Sequence, residues 1–356
     1  MSVTRYGIIG SGMMAHEHIR NLALFEDTAV VAVADPDPGM RQSAMALAGA
    51  RGYGDHRDLL AAEDLDALII AAPNHTHHGI LADVMKTEIP ILCEKPLGIS
   101  VDQCRDIARW AERRRAPVWV AMEYRFMDPL QRLLTEVAAG QAGQLRMVSI
   151  REHRFPFLEK IGDWNRFSAN TGGTLVEKCC HHFDLMRLIL GGANAVRVYA
   201  SGAMDVNHLD ERYGGKTPDI IDNAFVIVDF DTGARGMLDL AMFAEGAYWQ
   251  EIVTATGDRG RIEARIPAAH GVTELRHGEV SIAPRAGAEV TETIKTAPDI
   301  MAVGAHHGST YFQHQRFLAL VRQGGVPDVS VADGLAAVAI GAAAEESARS
   351  GAAITL

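Results

Sequence analysis

Short apolar runs alternate with amphipathic segments over the first third of the chain. Continuous apolar runs are typical of parallel strands buried on both faces, and apolar positions three or four residues apart favour helices. Strands that alternate with helices predict right-handed βαβ units and a parallel sheet. The predicted strands cover residues 7–9, 30–34, 68–72, 90–93 and 118–122.

The pattern changes after residue 124. Residues 145–152 alternate between apolar and polar, as in a strand with one buried face. Residues 224–231 and 236–242 flank a turn typical of a hairpin. We therefore predict an α/β domain at residues 1–124 and an α+β domain with a mainly antiparallel sheet at residues 125–356. Further strands are predicted at residues 252–255, 261–265, 273–275 and 280–282, and a helix at residues 331–350.

The first apolar run leads directly into a G-x-G-x-x-A turn between a strand and a helix. Gly10 allows the sharp turn, Gly12 lets a pyrophosphate approach the main chain, and Ala15 lets the helix pack closely on the strand. The helix N-terminus favours phosphate binding through its N–H groups and its dipole. The motif predicts a Rossmann-type dinucleotide site whose turn is formed by Gly10, Gly12, Met13 and Met14.

The second apolar run ends in Asp35, 25 residues after Gly10. An acid near this offset hydrogen-bonds the adenosine ribose of NAD and would repel the 2′-phosphate of NADP. NAD is therefore the predicted cofactor. Arg41 lies close enough in sequence to leave NADP as an alternative.

Polar side chains also follow two later strands of the predicted sheet. Ligands bind parallel sheets outside the carboxyl ends of the strands, so these groups are predicted to border the cofactor and the substrate. Lys95 is the candidate for proton transfer or for orienting the substrate. The cofactor-binding candidates in this group are Asn74, His75, His78, Glu94 and Lys95.

Residues 172–184 contain a second group of candidate catalytic side chains. If a helix starts near Leu175, then Glu177, His181 and Asp184 share one of its faces. Two acids and an imidazole on one face can position and tune a proton acceptor, and the alternative is an ordinary amphipathic helix. Residues 179–182, Cys-Cys-His-His, point in four directions on a helix, so no metal site is predicted.

Composition narrows the class of protein. The net charge of −11 argues against nucleic acid or an anionic membrane as the main partner. No apolar run approaches the length of a membrane-spanning helix, and the first strand begins too early to leave room for a signal peptide. Four cysteines in 356 residues do not make a disulfide framework. We therefore expect a cytoplasmic protein.

Together these motifs resemble the Gfo/Idh/MocA oxidoreductases, the family of glucose-fructose oxidoreductase and inositol dehydrogenase. The resemblance extends over nearly the whole chain. Its most specific part is Glu94-Lys95-Pro96, followed later by Gly172-Gly173 and by His181 to Asp184. Further matches are the glycine turn, residues 33–36, residues 72–74 with His78, residues 124–126, Asp163-Trp164 and residues 222–236.

The resemblance implies a nicotinamide-binding domain joined to an open-faced antiparallel sheet, through which copies of the chain form a homodimer or homotetramer. It implies that Lys95 and His181 are the catalytic pair, with Glu177 in place of the family's usual aspartate, and it allows a cis bond before Pro96. It suggests Arg125 and Trp164 beside the cofactor. The implied substrate-side residues are Lys95, Tyr124, His153, Cys180, His181 and Tyr311.

The resulting hypothesis is an NAD-dependent dehydrogenase that oxidises a secondary hydroxyl of a sugar, inositol or related polyol by hydride transfer. His181 would take the hydroxyl proton, Lys95 would stabilise the oxygen, and Glu177 and Asp184 would orient the imidazole. Which of Lys95 and His181 is the base stays open. The alternatives are an NADPH-dependent reductase of a keto-sugar or imine, a non-catalytic nucleotide sensor, and a lyase or glycosidase that uses bound NAD without net redox change.

Overall fold

The computed structural model describes residues 3–269, 274–304 and 306–356. The chain divides into two compact units. The first comprises Met1–Glu123 and Asp299–Leu335, and the second comprises Tyr124–Pro298 and Ala336–Leu356. The predicted boundary lies one residue from the observed one. The main difference is that residues 299–335 return to the first unit, so the second domain does not run unbroken to residue 356.

The first unit is built on a parallel sheet, as the apolar runs predict. Within its described residues the strands are β1 (Thr4–Ile9), β2 (Thr28–Ala34), β3 (Arg51–Tyr53), β4 (Ala67–Ile70), β5 (Ile91–Glu94) and β6 (Val118–Ala121). Their order is β3-β2-β1-β4-β5-β6. The direction of winding reverses between β1 and β4, which is the switch point where such sheets bind ligands.

The second unit is built on a larger, mainly antiparallel sheet. Over the described residues its strands are β7 (Leu145–His153), β8 (Ala195–Ala203), β9 (Asn223–Phe230), β10 (Arg235–Ala241), β11 (Trp249–Gly257), β12 (Gly260–Pro267), β13 (Gly278–Pro284), β14 (Val290–Ile294) and β15 (Ile354–Thr355). Their order is β14-β13-β12-β11-β7-β10-β9-β8-β15, and β7 and β10 pair in parallel. Of the strand predicted at residues 273–275, Thr273 lies outside the described residues, and Glu274 and Leu275 are not in a strand.

Helices complete both units. Those of the first unit include α1 (Met13–Leu22), α2 (Pro38–Ala48), α3 (His56–Ala62), α4 (His77–Val84) and α5 (Val101–Ala111), and the second unit continues with α6 (Asp128–Ala138), α7 (Ser168–Thr171), α8 (Thr174–Glu177) and α9 (Cys180–Ile189). The last helices are α10 (Pro298–Met301), α11 (Ser309–Gln323) and α12 (Val331–Ser350). Among the residues that the structure describes, no helix is long and apolar enough to cross a membrane.

The returning segment packs on the first strands of the chain. Phe317 of α11 is fully buried, and its ring centroid lies 6.4 Å from that of Tyr6 on β1. The backbone N–H of Val120 on β6 donates to the carbonyl of Val329. Residues from the last quarter of the chain therefore complete the core of the first unit.

The large sheet has one buried face and one exposed face. Val148 and Ile150 of β7 are buried, whereas Met147, which precedes Val148 on the same strand, is 54% exposed. On β9, Phe225 and Ile227 are 64% and 48% exposed. Because successive side chains of a strand point to opposite faces, the outer face presents apolar side chains to solvent.

Candidate active site

The glycine turn has the conformation that its sequence predicts. Gly10 has a φ of +91°, and a Cβ on it would lie 2.5 Å from the backbone of Ala71. No residue with a side chain fits there without strain. A Cβ on Gly12 would meet nothing within 4 Å. Open space therefore lies beside Gly12 at the N-terminus of α1, next to Met13, which is exposed, and Met14, which is half-buried.

Asp35 is fixed beside this turn. One carboxylate oxygen accepts the N–H of Ser11 at 2.7 Å, and the other accepts the N–H of Asp37 at 2.9 Å. The guanidinium of Arg41 donates to the main-chain carbonyl of Asp35 at 2.5 Å. The acid predicted to select NAD is therefore anchored at the carboxyl end of β2, with Arg41 bonded to its backbone.

His77, a residue that sequence analysis missed, holds two loops together. Its Nδ1 lies 2.9 Å from the carbonyl oxygen of Pro96, and its Nε2 lies 2.9 Å from that of Ala72. The ring is completely buried. Burial lowers the pKa of His77, while the two carbonyl groups and Glu94 oppose that shift. One imidazole thus connects the loop after β4 to the loop after β5.

The three side chains predicted after β4 have different surroundings. Asn74 is buried, and its Nδ2 has no hydrogen-bond partner among the described residues. His75 is exposed at the same strand end. The Nε2 of His78 lies 3.1 Å from Asp106, and its ring packs on Trp110 of α5, while its role in cofactor binding stays a prediction.

Lys95 follows β5, and its peptide bond to Pro96 is cis. The carboxylate of the preceding Glu94 accepts the N–H of Lys95 at 3.2 Å and lies 3.0 Å from Nε2 of His18. The other ring nitrogen of His18 lies 2.9 Å from His314. Burial acts to raise the pKa of Glu94, but His18 and Lys95 outweigh it, and the net pKa is lowered. The anionic carboxylate of Glu94 therefore holds the main chain of the Lys95 turn through this hydrogen bond.

Tyr311 does not lie at this edge of the sheet. Its ring stacks on Phe25 with centroids 4.7 Å apart. Phe25 follows the C-terminus of α1, which is about 15 Å long at 1.5 Å per residue. Tyr311, predicted on the substrate side, thus packs at the end of α1 remote from the glycine turn, and its role stays a prediction.

In the second unit, residues 172–184 form two short helices rather than one. α8 ends at Glu177 and α9 begins at Cys180. Gly173 before α8 has a φ of +95°, and the carboxylate of Glu345 on α12 accepts the N–H of Leu175 at 2.7 Å. Glu345 therefore caps α8, and the single helical face predicted from Leu175 is interrupted between Glu177 and His181.

Asp184 is bound by the guanidinium of Arg125. The guanidinium Nε donates to one carboxylate oxygen at 2.6 Å and Nη2 donates to the other, and both side chains are buried. Such bidentate pairs are strong and directional. The roles of Asp184 in orienting His181 and of Arg125 beside the cofactor stay predictions, and the pair fixes both side chains in the second unit.

His181 is fully buried against Tyr124. The two rings stack with centroids 4.1 Å apart and an angle of 6° between their planes. Lys178, which sequence analysis did not single out, donates to the hydroxyl of Tyr124 and lies 2.9 Å from the carboxylate of Glu152. The acid predicted beside His181, Glu177, is also buried.

Two further residues predicted on the substrate side, His153 and Cys180, stay predictions. His153 lies on the face of β7 opposite to Glu152 and pairs with Asp239 at 3.0 Å. Cys180 is fully buried, and its thiol donates to the carbonyl of Glu177. Trp164 lies in the short helix Ile161–Arg166 of the second unit, where its carbonyl accepts the amide of Asn170.

The first unit has the features that a dinucleotide requires. The turn leaves room at Gly12, Asp35 is an anchored acid, and Asn74 has a buried donor at the next strand end. These residues fit NAD. Among residues 3–269, 274–304 and 306–356, no three His, Cys, Asp or Glu side chains are grouped so that they could hold a metal ion.

Comparison with known proteins assigns the family. The sequence model for the NAD-binding Rossmann fold of an oxidoreductase family, Gfo/Idh/MocA, matches residues 4–122, and that for its C-terminal alpha/beta domain matches residues 135–356. The chain is 30% identical to the rhizopine catabolism protein MocA of Rhizobium meliloti over 74% of this chain and 79% of that one. It is 26% identical to the myo-inositol 2-dehydrogenase of Thermotoga maritima over 96% of each chain.

A solved structure supports the fold. The myo-inositol dehydrogenase of Corynebacterium glutamicum superposes with a TM-score of 0.77 at 22% identity, over 99% of both chains. The predicted fold class, with a Rossmann-type domain and a mainly antiparallel second domain, is confirmed, and so is NAD as the cofactor. The chain belongs to the Gfo/Idh/MocA family of oxidoreductases.

Proposed function

We propose that this enzyme oxidises a secondary hydroxyl of an inositol or a related polyol or sugar with NAD. The observation that carries the proposal is the position of Lys95. It follows β5 in the same parallel sheet whose β1 leads into the glycine turn and whose β2 is followed directly by Asp35. Relatives named inositol 2-dehydrogenase and myo-inositol 2-dehydrogenase support this class of substrate.

The proposed mechanism assigns one role to each group. Gly12, Asp35 and Asn74 hold the dinucleotide. When bound, the nicotinamide would supply the hydride acceptor for the oxidation of the substrate carbon. Lys95 stabilises the negative charge that develops on the substrate oxygen, and His181 accepts the hydroxyl proton. Buried Glu177 is the acid proposed to act with His181.

The lysine is proposed to be the electrostatic group and the histidine the base. The charge of Lys95 helps to lower the pKa of Glu94, and the resulting carboxylate in turn attracts the Lys95 ammonium. An ammonium cannot accept a proton but can stabilise an alkoxide. His181, stacked on Tyr124, is the proposed proton acceptor.

The first test is an activity panel with the full chain. We expect NAD to be reduced with at least one inositol, hexose or pentose, and absorbance of the reduced nicotinamide measures it. Lys95→Ala should lower turnover by at least two orders of magnitude while NAD binding, measured by calorimetry, survives. Near-normal turnover of Lys95→Ala would contradict the mechanism, and binding without reduction of NAD on any substrate would contradict the proposed reaction.

Assembly and location are also proposals. The exposed apolar side chains on the outer face of the large sheet support a homodimer or homotetramer formed through that face. The four cysteines are free and buried, as suits a reducing cytoplasm. The net charge of −11 supports a small molecule rather than a nucleic acid as the ligand.

A further inference from the structure

A buried ionic cluster centred on Glu152 lies near His181 in the second unit. The carboxylate of Glu152 on β7 lies 2.9 Å from Nζ of Lys178, 3.1 Å from Nε2 of His182 and 3.2 Å from the guanidinium of Arg154. The side chains of Glu152 and His182 are fully buried, and that of Lys178 is nearly so. The cluster joins the buried face of the large sheet to the segment that links α8 and α9.

The cluster reaches His181 through one aromatic ring. Nζ of Lys178 lies 4.6 Å from the centroid of the Tyr124 ring and hydrogen-bonds its hydroxyl. The same ring stacks on the imidazole of His181, 4.1 Å away and nearly parallel. The distance from the ammonium to the imidazole therefore cannot exceed the two distances together. At this range, in a water-poor environment, a unit charge acts strongly on a titrating group.

Removing these charges from water costs free energy, and this cost argues for a specific role of the cluster. Ion pairs removed from water often add no net stability, and apolar side chains of similar volume would fill the same space at least as well. Neighbouring Glu251 on β11 illustrates the cost, since burial and the charge of Glu152 raise its pKa. By contrast, Lys178 and Arg154 hold the pKa of Glu152 well below its usual range, against the effect of burial.

We propose that Lys178, held by Glu152, is a positioning residue that fixes the Tyr124 ring on His181 and sets the proton affinity of that imidazole. The inference deepens the proposed function, because it rests on His181 as the proton acceptor. A positive charge at Lys178 disfavours the imidazolium, and a negative charge at Glu152 favours it. The two charges therefore have opposing effects on the proton affinity of His181, while the hydrogen bond from Lys178 keeps the phenol of Tyr124 in place.

Other charged and titratable groups also reach this region within the second unit, and the test must keep them constant. Asp184 and Arg125 neutralise each other in their bidentate pair. The groups that face the α8–α9 region are Tyr124 and Arg125 from residues 123–126, Glu152 and Arg154 from β7, Glu251 from β11, Glu345 from α12, and Glu177, Lys178, Cys179, Cys180, His182 and Asp184 from the region itself.

The experiment is an NMR titration of histidine in the full chain without cofactor, with the His181 signal assigned from its loss in His181→Asn. Lys178→Met should raise the His181 midpoint, and Glu152→Gln should lower it, each by on the order of one pH unit. The double variant Glu152→Gln/Lys178→Met should return toward the wild-type midpoint. Lys178→Arg keeps the charge and should stay close to wild type.

A remote charge deletion controls for general electrostatics. Arg197→Met removes an exposed arginine that pairs with Asp229 on β8 and β9, and it should leave the His181 midpoint unchanged. Unchanged midpoints in both Lys178→Met and Glu152→Gln, or shifts of the same sign, would overturn the inference. If Lys178→Met does not fold, as judged by circular dichroism, the sign of the Glu152→Gln shift decides.

The kinetic arm separates this inference from the proposed function. In the active enzyme the acid limb of the kcat/KM profile should move to higher pH in Lys178→Met and to lower pH in Glu152→Gln, whereas a purely structural role would lower the rate without moving the limb. Opposite NMR shifts without polyol oxidation by any variant would retain the role of Lys178 and refute the reaction.

Discussion

At the scale of single residues, His77 has the most demanding contacts near the proposed site. Both ring nitrogens lie 2.9 Å from carbonyl oxygens that belong to different loops. A neutral imidazole has only one N–H to donate, so one of the two contacts is satisfied fully only by the protonated ring. The position of the Lys95–Pro96 turn therefore depends on the buried imidazole of His77, and we expect a substitution there to disturb it.

We predict that His77→Ala lowers kcat/KM at least tenfold, because the carbonyl groups of Ala72 and Pro96 lose their shared partner and the Lys95 turn shifts. The free energy of unfolding should fall by about 1–3 kcal/mol. His78→Ala is the matched control, since that neighbouring ring is partly exposed and pairs with Asp106. Equal effects of the two variants in activity assays and urea unfolding would refute the role given to His77.

Glu345 gives a prediction about pH. Burial raises the pKa of Glu345 to about 7, although the N–H of Leu175 opposes the shift. The folded chain therefore binds this proton more tightly than the unfolded chain. Between the ordinary pKa of a glutamate and pH 7 the stability contributed at this position falls as pH rises, and above pH 7 the loss is complete.

Glu345→Gln removes that dependence and keeps an oxygen that can accept the N–H of Leu175. We expect the variant to match wild type near pH 4 and to exceed its stability at pH 8 by up to about 3 kcal/mol, measured by urea unfolding. Glu346→Gln, the exposed neighbour paired with Arg349, should show no such crossover. A Glu345 variant that is less stable than wild type at pH 8 would contradict the assignment.

At the scale of elements, the break between α8 and α9 determines which side chains meet. The chain enters α8 through Gly173, whose φ of +95° and ψ of 166° belong to a region open essentially to glycine alone. A Cβ at this position would lie 2.3 Å from Glu345. Gly173 is therefore required for two reasons: its backbone conformation, and the room that it leaves for the Glu345 side chain that caps α8.

Gly173→Ala should destabilise the protein by about 2–4 kcal/mol, since it adds backbone strain and displaces the Glu345 cap. Gly192→Ala is the control, because Gly192 also has a positive φ, +86°, but open space around its Cβ position. It should cost only about 1–2 kcal/mol. Chemical denaturation of both variants measures the difference, and equal losses would show that strain alone acts at Gly173.

Elements and local motifs were predictable where one physical rule dominates. Continuous apolar runs marked the buried strands, and only glycine fits at Gly10. The opposite orientations of Glu152 and His153 had a signal in the sequence, because alternation from buried Val148 and Ile150 puts Glu152 inward and His153 outward. The partnership of Asp184 with Arg125 and the cap from Glu345 join residues distant in sequence, and no local pattern encodes them.

At the scale of the whole molecule, the outer face of the large sheet exposes a group of neighbouring apolar side chains. Strand pairing places Tyr199 of β8, Ile227 of β9 and Met237 of β10 side by side, with Phe225 two residues along β9. All four are exposed. Contiguous apolar surface of this kind marks an interaction site in soluble proteins.

Phe225→Asp should convert the proposed oligomer to a monomer, because a charge would be buried in the interface, and light scattering after size exclusion measures the mass. Val326→Asp is the control, since Val326 is 84% exposed in the first unit. It should leave the mass unchanged. A wild-type protein that is already monomeric at micromolar concentration would refute this mode of assembly.

The return of residues 299–335 to the first unit sets the order in which the protein is completed on the ribosome. Tyr6 and Val120 emerge early, but Phe317 and Val329, which contact them, emerge only after most of the second unit has been synthesised. We expect the nascent nucleotide-binding unit to remain unfinished, with its apolar surface exposed, until then. Chaperones that cover this apolar surface during synthesis, rather than the rate at which either unit folds, would then govern the yield of the enzyme.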